Sequence, residues 1–297
     1  MTEAYLLAFN NKNTIFRICF TLKLKIMYHN TLITKDHPQQ AELEKVIELM
    51  LATLGKCSIY MFGYRECHFY ILLFADVSLR GTQLMNEIKE STHKTITATV
   101  LAHNVKQLAT KQKSQQYFFD QVLQNGQRMA LDKAHVPYIL NHNPQRDVEA
   151  DRAYWHKCFA VAQFHLQAVA DSEHIDITLC KIALLNTAAT QIALGLLRVF
   201  LGYTPNEFGL KYLLQLCGHF TVMPSQLFHQ QTPEAIRRYK MLCAPTSMLN
   251  HWTRLNAAEE DFVWLLDSCR TFLGLATELV TPEFQRLENT LTKSVPS

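Results

Sequence analysis

The densest group of side chains able to meet a phosphate is Arg237, Arg238 and Lys240, followed downstream by His251 and Arg254. Cationic groups at this density neutralise phosphate oxygens and release counterions, which is the chemistry of nucleotide or RNA binding. The competing role is a solvated helix face. Asn186 and Thr190 stand one helical turn apart and share a face. Polar groups on an otherwise apolar helix need partners, so this pair marks either a ligand pocket or the seam of a bundle dimer. The candidate ligand-binding set is therefore Asn186, Thr190, Arg237, Arg238, His251 and Arg254. Trp252 and Trp264 offer faces for a base, or core and interface packing. No Ser/His/Asp or Cys/His arrangement can be assembled from spacing, and Cys217 is a nucleophile without support. The eight cysteines are scattered with no C-x-x-C pair, which argues against a zinc ribbon or a redox motif. Such thiols fit buried positions in a reducing compartment, and a cytoplasmic location is expected. No metal site and no cofactor are expected.

These residues depend on the elements that carry them. Leu43, Val46, Ile47, Met50, Leu51 and Leu54 recur at helical spacing after Pro38, and Gly55 supplies a stop. Strands are read from Cys57 to Phe62 and from Phe69 to Phe74, with Gly63-Tyr64-Arg65-Glu66 as the turn of a hairpin. A helix from Gly81 to Ser91 precedes a strand rich in Thr, Ile and Val from Thr95 to Leu101. Asn104 caps a helix to about Lys113, Gln115 to Gln124 forms another, and Arg128 to Leu131 is a last short strand. The order α-β-β-α-β-α-α-β makes a small mixed sheet with helices packed on it. Residues 133–147, with Pro137 and Pro144 around Asn141-His142-Asn143, break structure and read as a linker.

Strand patterns then vanish. Helices are expected from Val148 to Ala170 and from Ile175 to Leu201, the second apolar enough for a bundle centre and closed by Gly202. Others run from Leu210 to Cys217 and from the start signal Thr232-Pro233-Glu234 to Leu242. The Asn256…Glu259 capping box opens a helix through Ala276, and Thr281-Pro282-Glu283 signals a short final one. His219 and His229 read as loop residues. The fold class is α+β, a small mixed-sheet domain followed by an all-α bundle.

Within the bundle, Arg198-Val-Phe-Leu-Gly202-Tyr203-Thr-Pro205, followed by Leu210-Lys-Tyr-Leu-Leu-Gln-Leu, resembles a stretch of the HEPN superfamily. These are small helical domains of prokaryotic toxins and nucleotide-handling proteins. In the first half, Ile59-Tyr-Met-Phe62-Gly63-Tyr64-Arg65 is similar to the strand and Phe-Gly turn of nucleotidyltransferase-like domains. The resemblance implies a degenerate nucleotidyltransferase-like domain over 31–132 and a HEPN-like bundle over 148–290. It also implies a homodimer through the bundle, a nucleotide or RNA as ligand, and toxin–antitoxin, resistance or defence roles by analogy.

The family's chemistry is mostly missing. Nucleotidyl transfer needs strand-borne carboxylates for two metal ions, and the segment His68 to Ala75 has none before Asp76. Many HEPN ribonucleases place a His four to six residues after an Arg. Arg152…His156 has three residues between and lies on the first bundle helix, and Arg128…His135 lies outside the bundle. Phe208 stands where many relatives have His, Asn186 to Thr190 replaces a more polar stretch, and Ala244 to His251 lacks the expected Arg. The reading is a non-catalytic binding or assembly protein. The alternatives are a metal-independent toxin-type ribonuclease using a rearranged Arg/His pair, or a purely structural interaction module.

Composition agrees with a packed protein: 48% of residues are hydrophobic and 19% charged. A net charge of +3 does not by itself indicate nucleic acid or an anionic membrane. No uninterrupted apolar run suggests a membrane span. Residues 14–28 are apolar but broken by Arg17, Lys23 and Lys25, without the layout of a signal peptide. Residues 1–30 are an N-terminal extension, read as a leader before a start at Met27 in preference to a β-rich arm.

Overall fold

The computed structural model describes residues 39–65, 68–76, 80–93, 95–105, 113–135, 144–172, 177–244 and 257–293. The N-terminal extension, the centre of the linker, most of the helix expected after Asn104, the Asn256 cap, and His251, Trp252 and Arg254 lie outside them. The order is α1 (Gln40–Leu54), β1 (Ser58–Arg65), β2 (His68–Phe74), α2 (Gly81–Ser91), β3 (Thr97–His103), α3 (Lys113–Asn125) and β4 (Gln127–Ala130). After a 3-10 turn at Lys133–His135 come α4 (Val148–Asp171), α5 (Thr178–Leu201), α6 (Leu210–Cys217), α7 (Met223–Leu227), α8 (Pro233–Cys243) and α9 (Glu259–Lys293). The architecture is mixed α+β, a small sheet followed by helices.

The sheet has four strands in the order β3-β2-β1-β4. β1 pairs antiparallel with β2 and β4, and β2 pairs parallel with β3 through the α2 crossover. Alternate side chains go to opposite faces. Ile59, Met61, Phe69, Ile71 and Leu73 pack with Leu43, Val46, Ile47 and Met50 of α1 and with Leu84 and Ile88 of α2. Tyr60, Phe62, Tyr70, Leu72 and Phe74 pack with Phe118 and Phe119 of α3 and run on into the bundle core. Both faces are dry, which is why the strands read as continuous apolar runs instead of an alternation.

Two expectations are corrected, and one short helix had no sequence signal. Gly63-Tyr64-Arg65 is not a turn: β1 continues through Arg65, and its register with β2 shifts between Met61 and Gly63. Gly63 is where the strand accepts a neighbour. A Cβ built there would lie 2.4 Å from Cδ2 and 2.6 Å from Nε2 of His219. Thr281-Pro282-Glu283 does not start a new helix, because α9 runs unbroken over 35 residues with Pro282 inside it. The Thr281 hydroxyl donates to Thr277 O at 3.0 Å, and Phe284 and Leu287 are buried beyond the proline. Tertiary packing thus carries the helix past the residue that lacks an N–H. The short α7, opened by Met223-Pro224, carried no periodic signal.

The bundle closes around α5. Ile182, Leu185, Ala189, Ile192, Leu196 and Val199 are buried against α4, α9, α8 and α6. By length and composition α5 is apolar enough to cross a membrane, but most of it is enclosed by these neighbours. Gly202 ends it in the left-handed conformation, with φ of 64°. At α8 the expected start holds: Thr232 caps it, its hydroxyl accepting from Ala235 N at 3.2 Å, with Pro233 in the first turn.

Candidate functional site

Arg237 and Arg238 do not present a free cationic face. Both point at Asp261 in the first turn of α9, whose carboxylate is buried. Arg237 Nη2 donates to Oδ1 at 2.7 Å while Nη1 meets Oδ2, and Arg238 Nε donates to Oδ1 at 2.9 Å. Burial pushes the Asp261 carboxyl up, but the hydrogen bonds and charges of Arg238 and Arg237 outweigh it, and the net shift is downward. The Arg238 guanidinium also lies 5.4 Å from the Trp264 ring centroid. The Arg237 side chain stays 48% exposed, so its outer edge alone faces solvent.

Asn186 Nδ2 donates to Leu242 O at 2.7 Å, satisfying a carbonyl in the last turn of α8. Thr190 sits one turn further along α5, half-buried. Asn186 and the two arginines therefore hold α8 against α5 and α9. None of them lines the cleft described below.

The Arg198–Pro205 stretch is likewise a joint. Asp151, 1% exposed, receives Arg146 Nε at 2.8 Å and pairs with buried Arg198, while Arg146 Nη2 donates to Arg198 O at 3.2 Å and to Val199 O. The Tyr203 hydroxyl shares a 2.7 Å hydrogen bond with His103 Nε2 at the end of β3. Cys217 is fully buried, its Sγ 3.7 Å from Ala193 O, and burial raises its thiol well above the ordinary value. Asp76 lies 3.3 Å from His135 Nε2, with Asp132 3.4 Å from the other ring nitrogen. Among the described residues no group of three His, Cys, Asp or Glu is placed to hold a metal ion.

The geometry that can take a ligand lies elsewhere, between one end of the sheet and the α6–α7 corner. A cleft of about 600 Å³ opens there. Arg65, His68, Thr95 and Thr97 form its sheet wall; Gln215, Thr221, Ser225, Gln226 and Gln230 add polar groups opposite, among Leu214, Val222, Pro224 and Phe228. A compartment of about 200 Å³ adjoins it and shares Thr97 and Gln215, with Lys89 of α2 and Lys211 of α6 in its lining. Among the described residues no Asp or Glu lines either space. The Glu207 carboxylate, at the edge, accepts from Thr82 N at 3.3 Å.

Local contacts hold these walls. His68 Nδ1 is 2.7 Å from the Thr97 hydroxyl and Nε2 is 2.8 Å from that of Thr99, so both ring nitrogens are engaged and the Thr97 hydroxyl is fixed. Burial lowers the His68 pKa to about 4, so the ring is neutral at pH 7. Arg65 Nη1 donates to Gly218 O at 3.3 Å. His219 inserts from the α6–α7 corner over Gly63, its Nε2 3.1 Å from Phe62 O and its ring 5.1 Å from those of Phe62 and Tyr70. His219 is thus not a solvated loop residue but the wedge that seats the corner on the sheet.

The arrangement can bind: it offers cations, hydroxyls and amides around an apolar floor. Its described histidine, His68, is not a poised base, being neutral with both nitrogens occupied. Arg65, His68, Lys89 and Lys211 were not singled out in the sequence. The one available signal was polar residues at the ends of otherwise apolar strands, as at His68, Thr95 and Thr97. No family model, curated protein or solved structure matches the chain.

Proposed function

We propose that this chain is a non-catalytic binding protein of HEPN type with a degenerate nucleotidyltransferase-like sheet, and that it holds a nucleotide or an RNA segment in the cleft between sheet and helices. One observation carries this: Arg65, Lys89 and Lys211 line two adjacent spaces whose described lining holds hydroxyls and amides but no carboxylate. A cation-lined cleft of this size suits a polar anion with an apolar face. The neutral, doubly bonded His68 favours binding over the ribonuclease alternative, because proton transfer needs a nitrogen free to accept. A cytoplasmic setting accords with this reading.

The test is calorimetry and thermal shift with nucleotides and short RNAs, alongside RNA cleavage with a chelator present. Binding without cleavage is expected; chelator-resistant cleavage abolished by His68→Gln overturns the non-catalytic reading.

A second reading, assembly through the bundle, has its own support. Phe164 is 69% exposed on α4 beside exposed Val161, and an open groove with Leu273 and Gly274 runs between α4 and α9. Light scattering is expected to give a dimer that Phe164→Asp converts to monomer; a wild-type monomer at high concentration refutes it.

A further inference from the structure

Resting on the reading of the cleft as a nucleotide site, we infer that the ligand unit is a nucleoside monophosphate, its phosphate in the compartment between Lys89 and Lys211 and its nucleoside in the larger space. Volume decides the orientation. About 200 Å³ accommodates a phosphate group with water but not a base and ribose, whereas about 600 Å³ lies in the range of pockets for nucleoside-sized ligands. Thr97 and Gln215 line both spaces, which places the two side by side.

Charge agrees. Lys89 and Lys211 come from opposite sides, α2 and α6, and neither forms an ion pair among the described residues. Two ammonium groups match the charge of roughly −1.5 to −2 on a monophosphate at neutral pH. Arg65 is the weaker phosphate candidate, because its Nη1 already donates to Gly218 O. The Glu207 carboxylate is held at the α2 N-terminus by the Thr82 N–H. A phosphate in this compartment bridges a lysine of the sheet layer to a lysine of the bundle. The unit is either a free nucleotide or the 5′ end of an RNA.

The experiment titrates the full chain and its Lys89→Met/Lys211→Met variant with the four ribonucleoside monophosphates, the matching nucleosides, and one RNA hexamer with and without a 5′-phosphate. Both lysines are at least partly exposed, and urea unfolding checks that the variant is folded. Monophosphates are expected to bind the variant about tenfold or more weakly than the wild type, while nucleosides bind both alike. Lysine dependence confined to the 5′-phosphorylated hexamer supports the same assignment with RNA as the source. Binding of monophosphates and of the 5′-phosphorylated hexamer with equal affinity to both proteins overturns this inference and leaves the cleft reading standing. No binding of any probe to the wild type at millimolar concentration overturns both.

Discussion

The seat of His219 on β1 gives the sharpest quantitative prediction. Replacing Gly63 with Ala puts a methyl group 2.4 Å from His219 Cδ2, 2.6 Å from Nε2 and 3.3 Å from the Tyr70 ring. The first two contacts are about 1 Å closer than van der Waals contact permits. The ring cannot retreat easily, since Phe62 and Tyr70 flank it and Phe62 O holds its Nε2. Overpacking of this kind costs about 1–3 kcal/mol. Backbone propensity alone predicts the opposite, a gain of roughly 0.5–1 kcal/mol for Ala over Gly within a strand. His219→Ala removes the ring and costs about 2–4 kcal/mol, by analogy with large-to-small core changes. In that background the Gly63 methyl enters vacated space, so the double variant should be no less stable than His219→Ala alone. Urea denaturation followed by far-UV circular dichroism should therefore give a coupling of at least about 1 kcal/mol between the sites. Additive effects within about 0.5 kcal/mol, or a Gly63→Ala protein as stable as the wild type, would refute the steric argument.

Other outcomes follow from the same contacts. Asp261→Asn should destabilise by about 1–3 kcal/mol at neutral pH, discounted for the exposure of Arg237. Because the folded Asp261 pKa is depressed, its contribution is present above the unfolded value near 3.9 and lost as pH falls through the folded one. The gap between wild type and Asp261→Asn should therefore narrow in acid; a gap that does not shrink as pH falls below the unfolded value contradicts the pairing. Gly81→Ala drives a methyl to 1.9 Å from Val100 O, a backbone atom, and should cost about 3 kcal/mol or more, with a thermal scan as the check. His68 stays unprotonated down to about pH 4 when folded, whereas unfolded histidine protonates near pH 6.5. The unfolded chain thus binds more protons in that window, and stability falls on acidification by up to about 1.4 kcal/mol per pH unit. His68→Gln should flatten that slope between pH 6.5 and 4, and an unchanged slope would mean the ring is accessible to protons.

What was legible in the sequence was local. The apolar spacing of α1, the punctuation at Gly55, Gly202 and Thr232-Pro233, and the apolar run of α5 all report backbone state directly, and those elements lie where the pattern puts them. Gly63 and Pro282 misled for a common reason. Each carries a local breaking tendency of a few kcal/mol at most, and long-range packing by His219 in one case and by Phe284 and Leu287 in the other outweighs it. The candidate site was harder. Arg237 and Arg238 form a basic pair in sequence, but nothing within a helix turn announces that Asp261, two dozen residues on, will meet them. The cleft is built from residues near 65–68, 89, 95–97 and 211–230, and only the seating of α6 on the sheet brings them together. Spacing along a chain does not encode such a gathering.

The shared apolar face of the sheet has a consequence for synthesis of the chain. Tyr60, Phe62, Tyr70, Leu72 and Phe74 are translated early, but α5 and α6, which help cover them, come more than a hundred residues later. At about 5–20 residues per second, that interval is on the order of 10 s. Until then the nascent first half carries an aromatic surface covered in part by Phe118 and Phe119 of α3, the kind a holding chaperone recognises. A ribosome-stalled fragment ending before α5 should therefore recruit such a factor, and one extended past α7 and the exit tunnel should release it. Early residues and late ones become native together, and the first half cannot complete its fold in advance of the second.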